Sequence, residues 1–99
     1  MTIRLVKTEN GCDLYLEGRL DSLTAVETET IFQNVREQYT AVTLDLSELE
    51  YVSSAGLRVL KTLHIGMKDK GGALYIRNVR KNVYEVFELT GFVGLFQFV

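Results

Sequence analysis

Two adjacent hydroxyls, Ser53 and Ser54, stand in the run Val52-Ser53-Ser54-Ala55-Gly56-Leu57, where a strand-like segment passes into a helix-like one. A hydroxyl at a helix start can cap the helix by accepting a hydrogen bond from a free amide. Left uncapped, it can carry a phosphate ester, whose charge of about −1.5 to −2 and three acceptor oxygens suit the amide-rich, positive end of a helix. The residues alone leave both roles open for both serines. Other groups offer less. His64 lies mid-helix among apolar neighbours, with no serine or cysteine at a spacing that makes it a general base, and reads as a partly buried or surface histidine. Gly71-Gly72 follows a helix and precedes a strand, the reverse of a phosphate loop, so it reads as a helix stop. Asp21 and Asp45 are two carboxylates that could share acid and base roles, but a cap or turn position accounts for Asp21 without catalysis. One cysteine, Cys12, and one histidine cannot build an internal disulfide or the usual four-ligand zinc site. The expectation is no catalytic residue, no metal and no cofactor.

Composition narrows the partners. With 46% apolar residues, 24% charged residues and no proline, residues 1–99 read as one domain with one core. Eleven basic residues against thirteen acidic ones leave a net charge of −2, which gives no broad attraction for phosphate backbones or anionic membranes. Nucleic acid and direct membrane insertion are therefore not expected. Apolar runs are short and the first residues lack a signal-peptide pattern, so the expected location is cytoplasmic.

The elements that must position the serines follow from periodicity. Ile3 and Leu5, then Leu14 and Leu16 beyond Glu9-Asn10-Gly11, alternate as a hairpin does. Asp21 and Ser22 are cap-type residues, and Leu23, Val26, Ile31 and Val35 suggest the inward face of a helix over 22–38, with Glu27, Glu29, Arg36 and Glu37 solvated. Val42, Leu44 and Leu46 mark a central strand over 41–46, and Ser47-Glu48-Leu49-Glu50 reads as a polar connection. Leu57, Leu60, Leu63 and Met67 mark a second helix, closed by Gly71-Gly72 with Lys68 and Lys70 in its last turn. A strand over 73–77 follows, then a third helix capped by Asn78, carrying Val83, Val86, Phe87 and Leu89, and ended by Gly91. The apolar tail from Phe92 to Val99 reads as a strand or packing segment. Strands alternating with helices from Asp21 onward predict an α/β fold: a small mixed sheet of four to five strands, with parallel right-handed crossovers and helices packed on it.

Four short pieces then carry a resemblance. Leu16-Glu17-Gly18-Arg19-Leu20-Asp21, Val42-Thr43-Leu44-Asp45-Leu46-Ser47, Tyr51-Val52-Ser53-Ser54-Ala55-Gly56-Leu57-Arg58-Val59-Leu60 and Thr90-Gly91-Phe92 occur in the order of a STAS domain of the bacterial anti-sigma factor antagonist family, which the chain resembles. The resemblance implies that Ser54 is phosphorylated by an anti-sigma factor that is a serine kinase. It implies that the unmodified form binds that kinase and frees a sigma factor, and that a PP2C-type phosphatase resets the cycle. ATP would be bound by the partner, and the domain would be a substrate and ligand, not an enzyme. Asp21 matches an aspartate near the modified turn, and Gly56 matches a glycine that lets the helix start close to the partner. Asp21, Ser53, Ser54, Ala55, Gly56 and Arg58 are the expected partner-binding residues, Arg58 facing an acidic partner group. The chain departs from the pattern where the family's aspartate is Ser53, a rival phosphoacceptor, and its second hydroxyl is Ala55. It also stops soon after Phe98, where many relatives continue into a final helix, so Phe92, Phe96 and Phe98 or another chain must close that apolar face. A monomer or weak dimer is expected. The alternative reading is a STAS-type soluble accessory subunit of a membrane transport or lipid-trafficking complex.

Overall fold

Strand order in space follows strand order in the chain. The computed structural model describes residues 1–99. A hairpin of β1 (Thr2–Lys7) and β2 (Cys12–Leu20) leads through α1 (Ala25–Gln38) to β3 (Ala41–Val52), then α2 (Ser54–Asp69), β4 (Ala73–Arg77), α3 (Lys81–Leu89), a 3-10 turn (Phe92–Gly94) and β5 (Gln97–Phe98). The sheet runs β1-β2-β3-β4-β5; β1 pairs antiparallel with β2, and every later pairing is parallel. An order that never reverses puts each right-handed crossover, and so all three helices, on the same face of the sheet. Alternation agrees: Cys12, Leu14, Leu16, Val42, Leu44, Leu46, Leu74 and Ile76 are buried, while Asp13, Tyr15, Thr43, Tyr75 and Arg77 between them are only half-buried. No helix is long and apolar enough to cross a membrane.

The α/β expectation holds, with local corrections. β3 continues through the polar stretch to Val52, because Leu49 and Val52 point into the core and β2 runs alongside to Leu20, with register shifts at Tyr15/Glu17 and Gly18/Arg19 absorbing the mismatch. Helix α1 starts at Ala25, not at Ser22, and its inward face is Ala25, Thr28, Phe32 and Val35; Leu23 and Val26 stand 87% and 72% exposed. Asn78 does not cap α3, whose cap position is Arg80. It adopts φ 58°, a left-handed conformation asparagine tolerates, and its amide nitrogen donates to Asp45 Oδ2 at 2.9 Å. Val83 and Phe87 are buried on α3 as expected, but Leu89 is 87% exposed. Lys70 serves the other helix end: its ammonium donates to the carbonyls of Arg36 and Tyr39 at the C-terminus of α1. The tail does form a strand and packing segment. Phe96 is buried and lies 5.7 Å from Phe87, with Phe92 and Phe98 flanking it, so these rings cover α3 from within the chain.

On the helix-free face, Asp45 is a buried carboxylate held by donors on three sides. Arg77 Nε donates to Oδ2 at 3.0 Å, Asn78 joins it there, and the Ser47 amide donates to Oδ1 at 3.0 Å. Arg77 also reaches Asp13 at 3.3 Å and the Tyr15 hydroxyl at 2.9 Å. Burial pulls the Asp45 pKa upward, but the hydrogen bonds from Ser47, Arg77 and Asn78 outweigh it and hold the value at about 2. A carboxylate whose folded pKa lies below its unfolded value stabilises the fold above the unfolded value and loses that stabilisation as pH falls toward the folded one. The expected contribution is about 2 kcal/mol, complete above about pH 5 and roughly half gone by pH 3. Urea unfolding of wild type and Asp45→Asn at pH 6 and pH 3 measures it. The acid loss should shrink by about 1 kcal/mol in the variant, and equal losses in both chains would remove Asp45 as its source.

Candidate functional site

Two turns meet at one end of the sheet. The first leaves β2 at Leu20 and is organised by Asp21, whose Oδ1 accepts hydrogen bonds from the amides of Leu23 and Thr24 at 3.0 and 3.1 Å. The Asp21 amide donates to Thr24 Oγ1 at 3.0 Å, and that hydroxyl donates to the Arg19 carbonyl at 2.8 Å. This is the reciprocal pattern of a capping box, placed one turn ahead of the regular helix. Those amide bonds, Thr24's foremost, lower the Asp21 pKa and keep the group anionic.

The second turn joins β3 to α2. Ser53 is extended and its amide donates to the Leu20 carbonyl at 2.9 Å, which fastens this turn to the first. Its hydroxyl accepts from the Gly56 amide at 3.3 Å, and its carbonyl accepts from the Leu57 amide at 2.9 Å to open the helix. Ser53 therefore fills the cap role. Ser54 is the first residue of α2, and its side chain is exposed. Of the two hydroxyls left open by the residues alone, one is occupied and the other faces solvent. Ala55 is half-buried against the core, Gly56 is buried between Leu20 and Val52, and Arg58 is exposed one turn beyond Ser54.

Between the helices runs a shallow groove of about 340 Å³, lined on one side by Ser22, Val26 and Glu29 and on the other by Ala55, Arg58 and Thr62. Leu23, next to Ser22 in the chain, is 87% exposed. Sequence reasoning turned Leu23 and Val26 inward and so missed the apolar part of this surface. The signal that finds it is the 3-4-3 spacing of Ala25, Thr28, Phe32 and Val35, which buries a better face and leaves Leu23 and Val26 on the other. All six expected partner-binding residues thus lie at one end of the molecule, on the turn after β2 and the first turns of α2.

The remaining candidates lie elsewhere. His64 is half-buried on α2, edge-on to Phe96 at 5.6 Å, with Nδ1 buried and unpartnered; burial and then Lys68 push its pKa down. Cys12 is buried in the core, where burial and then Asp13 raise its thiol pKa, which suppresses the thiolate. No group of three or more His, Cys, Asp or Glu side chains converges to hold a metal ion.

Known proteins share this fold. The chain is 35% identical over 97 residues to BtrV of Bordetella bronchiseptica, which bears the name putative anti-sigma factor antagonist, covering 97% of this chain and 84% of that one. It is 23% identical over 91 residues to the anti-sigma-B factor antagonist of Bacillus subtilis, covering 92% and 84%. Among solved structures, unphosphorylated SpoIIAA, an anti-sigma factor antagonist, superposes with a TM-score of 0.76 at 15% identity over 99% of this chain and 87% of its own; its phosphorylated form from Bacillus gives 0.76 at 16% over 99% and 91%. The STAS domain family model matches residues 2–99, all five strands and three helices included, and the chain belongs to the STAS domain family.

Proposed function

We propose that this protein is an anti-sigma factor antagonist working by partner switching, with Ser54 as its phosphorylated residue. In the unmodified state the end of the molecule carrying Asp21, Ser53, Ser54, Ala55, Gly56 and Arg58 binds an anti-sigma factor that is also a serine kinase, and a sigma factor is released. Phosphorylation of Ser54 ends that contact, and a PP2C-type phosphatase restores it. The domain acts as ligand and substrate, and the catalysis and the ATP belong to the partner. One observation carries the reading: at the start of α2 the Ser53 hydroxyl is committed to the Gly56 amide, while the Ser54 side chain is exposed at the positive end of the helix. A phosphate there gains roughly 0.3 to 1 kcal/mol from the helix dipole, so modification leaves the fold standing and acts on the surface alone.

The test is to incubate the protein with its cognate kinase and ATP and to map phosphate by mass spectrometry. Phosphate is expected on Ser54, and Ser54→Ala is expected to abolish labelling. Labelling that persists in that variant and maps to Ser53 would overturn the assignment, since it would require the cap bond to Gly56 to open.

A further inference from the structure

We infer that Arg58 is the internal receptor for the phosphate on Ser54, so that modification draws a cation off the docking surface as well as adding an anion to it. This rests on Ser54 being the modified residue. Ser54 opens α2 and Arg58 follows four residues later, so the two exposed side chains stand one helical turn apart on the same side of the helix. Helical side chains lean toward the N-terminus, which tilts Arg58 back over Ser54. An acid placed four residues ahead of a base is also the favourable order for such a pair.

Arg58 is uncommitted. The ion pairs of the chain join Arg77 to Asp13 and Asp45, and Arg80 to Glu48. Glu29 lines the same groove yet forms no ion pair with it. The other arginine near this end, Arg19, lies over the Tyr51 ring at 4.2 Å. A guanidinium presents a planar fork of donors that matches phosphate oxygens, and here it needs only a side-chain rotation to reach them. Unmodified, Arg58 is free to meet an acidic group on a partner; modified, it folds back along its own helix.

The experiment uses the full chain with phosphoserine inserted at position 54 during translation, so no kinase is involved. Its second phosphate ionisation is followed by phosphorus NMR from pH 4 to pH 8, in otherwise wild-type protein and in chains carrying Arg58→Gln or Lys61→Gln. Paired with Arg58, the phosphate should ionise about half a pH unit lower than in the Arg58→Gln chain, with Lys61→Gln close to wild type. Equal ionisation in the wild-type and Arg58→Gln chains would overturn the inference, as would equal shifts from Arg58→Gln and Lys61→Gln, which would mark a diffuse field and not a pair. The outcome is separable from the assignment of Ser54. A kinase that leaves Ser54 unlabelled counts against the proposed function whatever the shift, and a missing shift counts against Arg58 with labelling intact.

Discussion

Ser54→Asp is expected to weaken binding to the cognate anti-sigma factor by about two orders of magnitude, and phosphoserine at the same position by more. The substituted side chain is exposed, so the change costs the free protein nothing in packing. A negative charge on the first residue of α2 faces the positive end of the helix dipole and stabilises the unbound fold by a few tenths of a kcal/mol to about 1 kcal/mol. Lost binding could not then be traced to unfolding, which moves the other way. The cost arises in the complex. Val26, an exposed apolar side chain, lines the groove together with Ala55 and Arg58, so a partner seated there lies against the residue next to Ser54. A carboxylate there must be desolvated or repelled in the interface, and by drawing Arg58 back along α2 it also withdraws a cation from the partner. Together these costs reach several kcal/mol, and each 1.4 kcal/mol is a tenfold loss of affinity. Phosphate carries nearly twice the charge and a larger hydration shell, which places it beyond aspartate on the same scale. Calorimetry against the anti-sigma proteins of the same organism measures the difference, with thermal unfolding of the free variants as the control. Equal affinity for the wild-type and Ser54→Asp chains would leave a docking module without a switch.

The site was legible in the sequence to the level of a turn, and the fold to the level of its elements. Serines before an apolar helical period, with a glycine two residues on, locate a helix start, but both serines are good caps and nothing local separates them. The separation comes from Leu20, whose carbonyl takes the Ser53 amide and sets that residue in the cap position, a contact between distant parts of the chain. The same kind of contact misplaced Asn78. By type it is a helix cap; in the fold, a buried carboxylate on β3 claims its side chain. Leu23 and Val26 were misread for a different reason. Two apolar faces compete here, and α1 buries the one built on Ala25, Thr28, Phe32 and Val35, which leaves Leu23 and Val26 outside the core and Val26 on the groove wall. β3 overran its expected end because strand propensity is decided by the neighbouring strand: β2 stays parallel to it through Leu20, and polar residues such as Glu48 are carried along on the exposed side.

Gly56→Ala and Gly66→Ala put the same methyl group on the same helix and are expected to move stability in opposite directions. Helix propensity favours alanine over glycine by up to about 1 kcal/mol in a helix interior, and less in the first turn where Gly56 sits. At Gly56 the surroundings oppose that preference. An added Cβ would lie 2.6 Å from the Leu20 carbonyl oxygen, 2.7 Å from Leu20 Cγ and 2.9 Å from Val52 Cγ2. Two of these neighbours are side chains of the core and one is backbone that already accepts the Ser53 amide, so relief requires the first turn of α2 to lift from β2. Overpacking of this kind costs about 1 to 3 kcal/mol, more than propensity returns. At Gly66, by contrast, the methyl group meets the Arg36 side chain, a flexible chain end without an ion-pair partner that can swing aside toward solvent. There the propensity gain survives. Thermal unfolding should place Gly56→Ala about 10 °C below wild type and Gly66→Ala level with it or a few degrees above. The Gly56 variant should also lose kinase labelling at Ser54 in proportion to the lift, because the same carbonyl of Leu20 sets both the helix start and the exposure of its first hydroxyl. If Gly56→Ala proved as stable as wild type, the close approach of α2 to β2 would not be what positions Ser54.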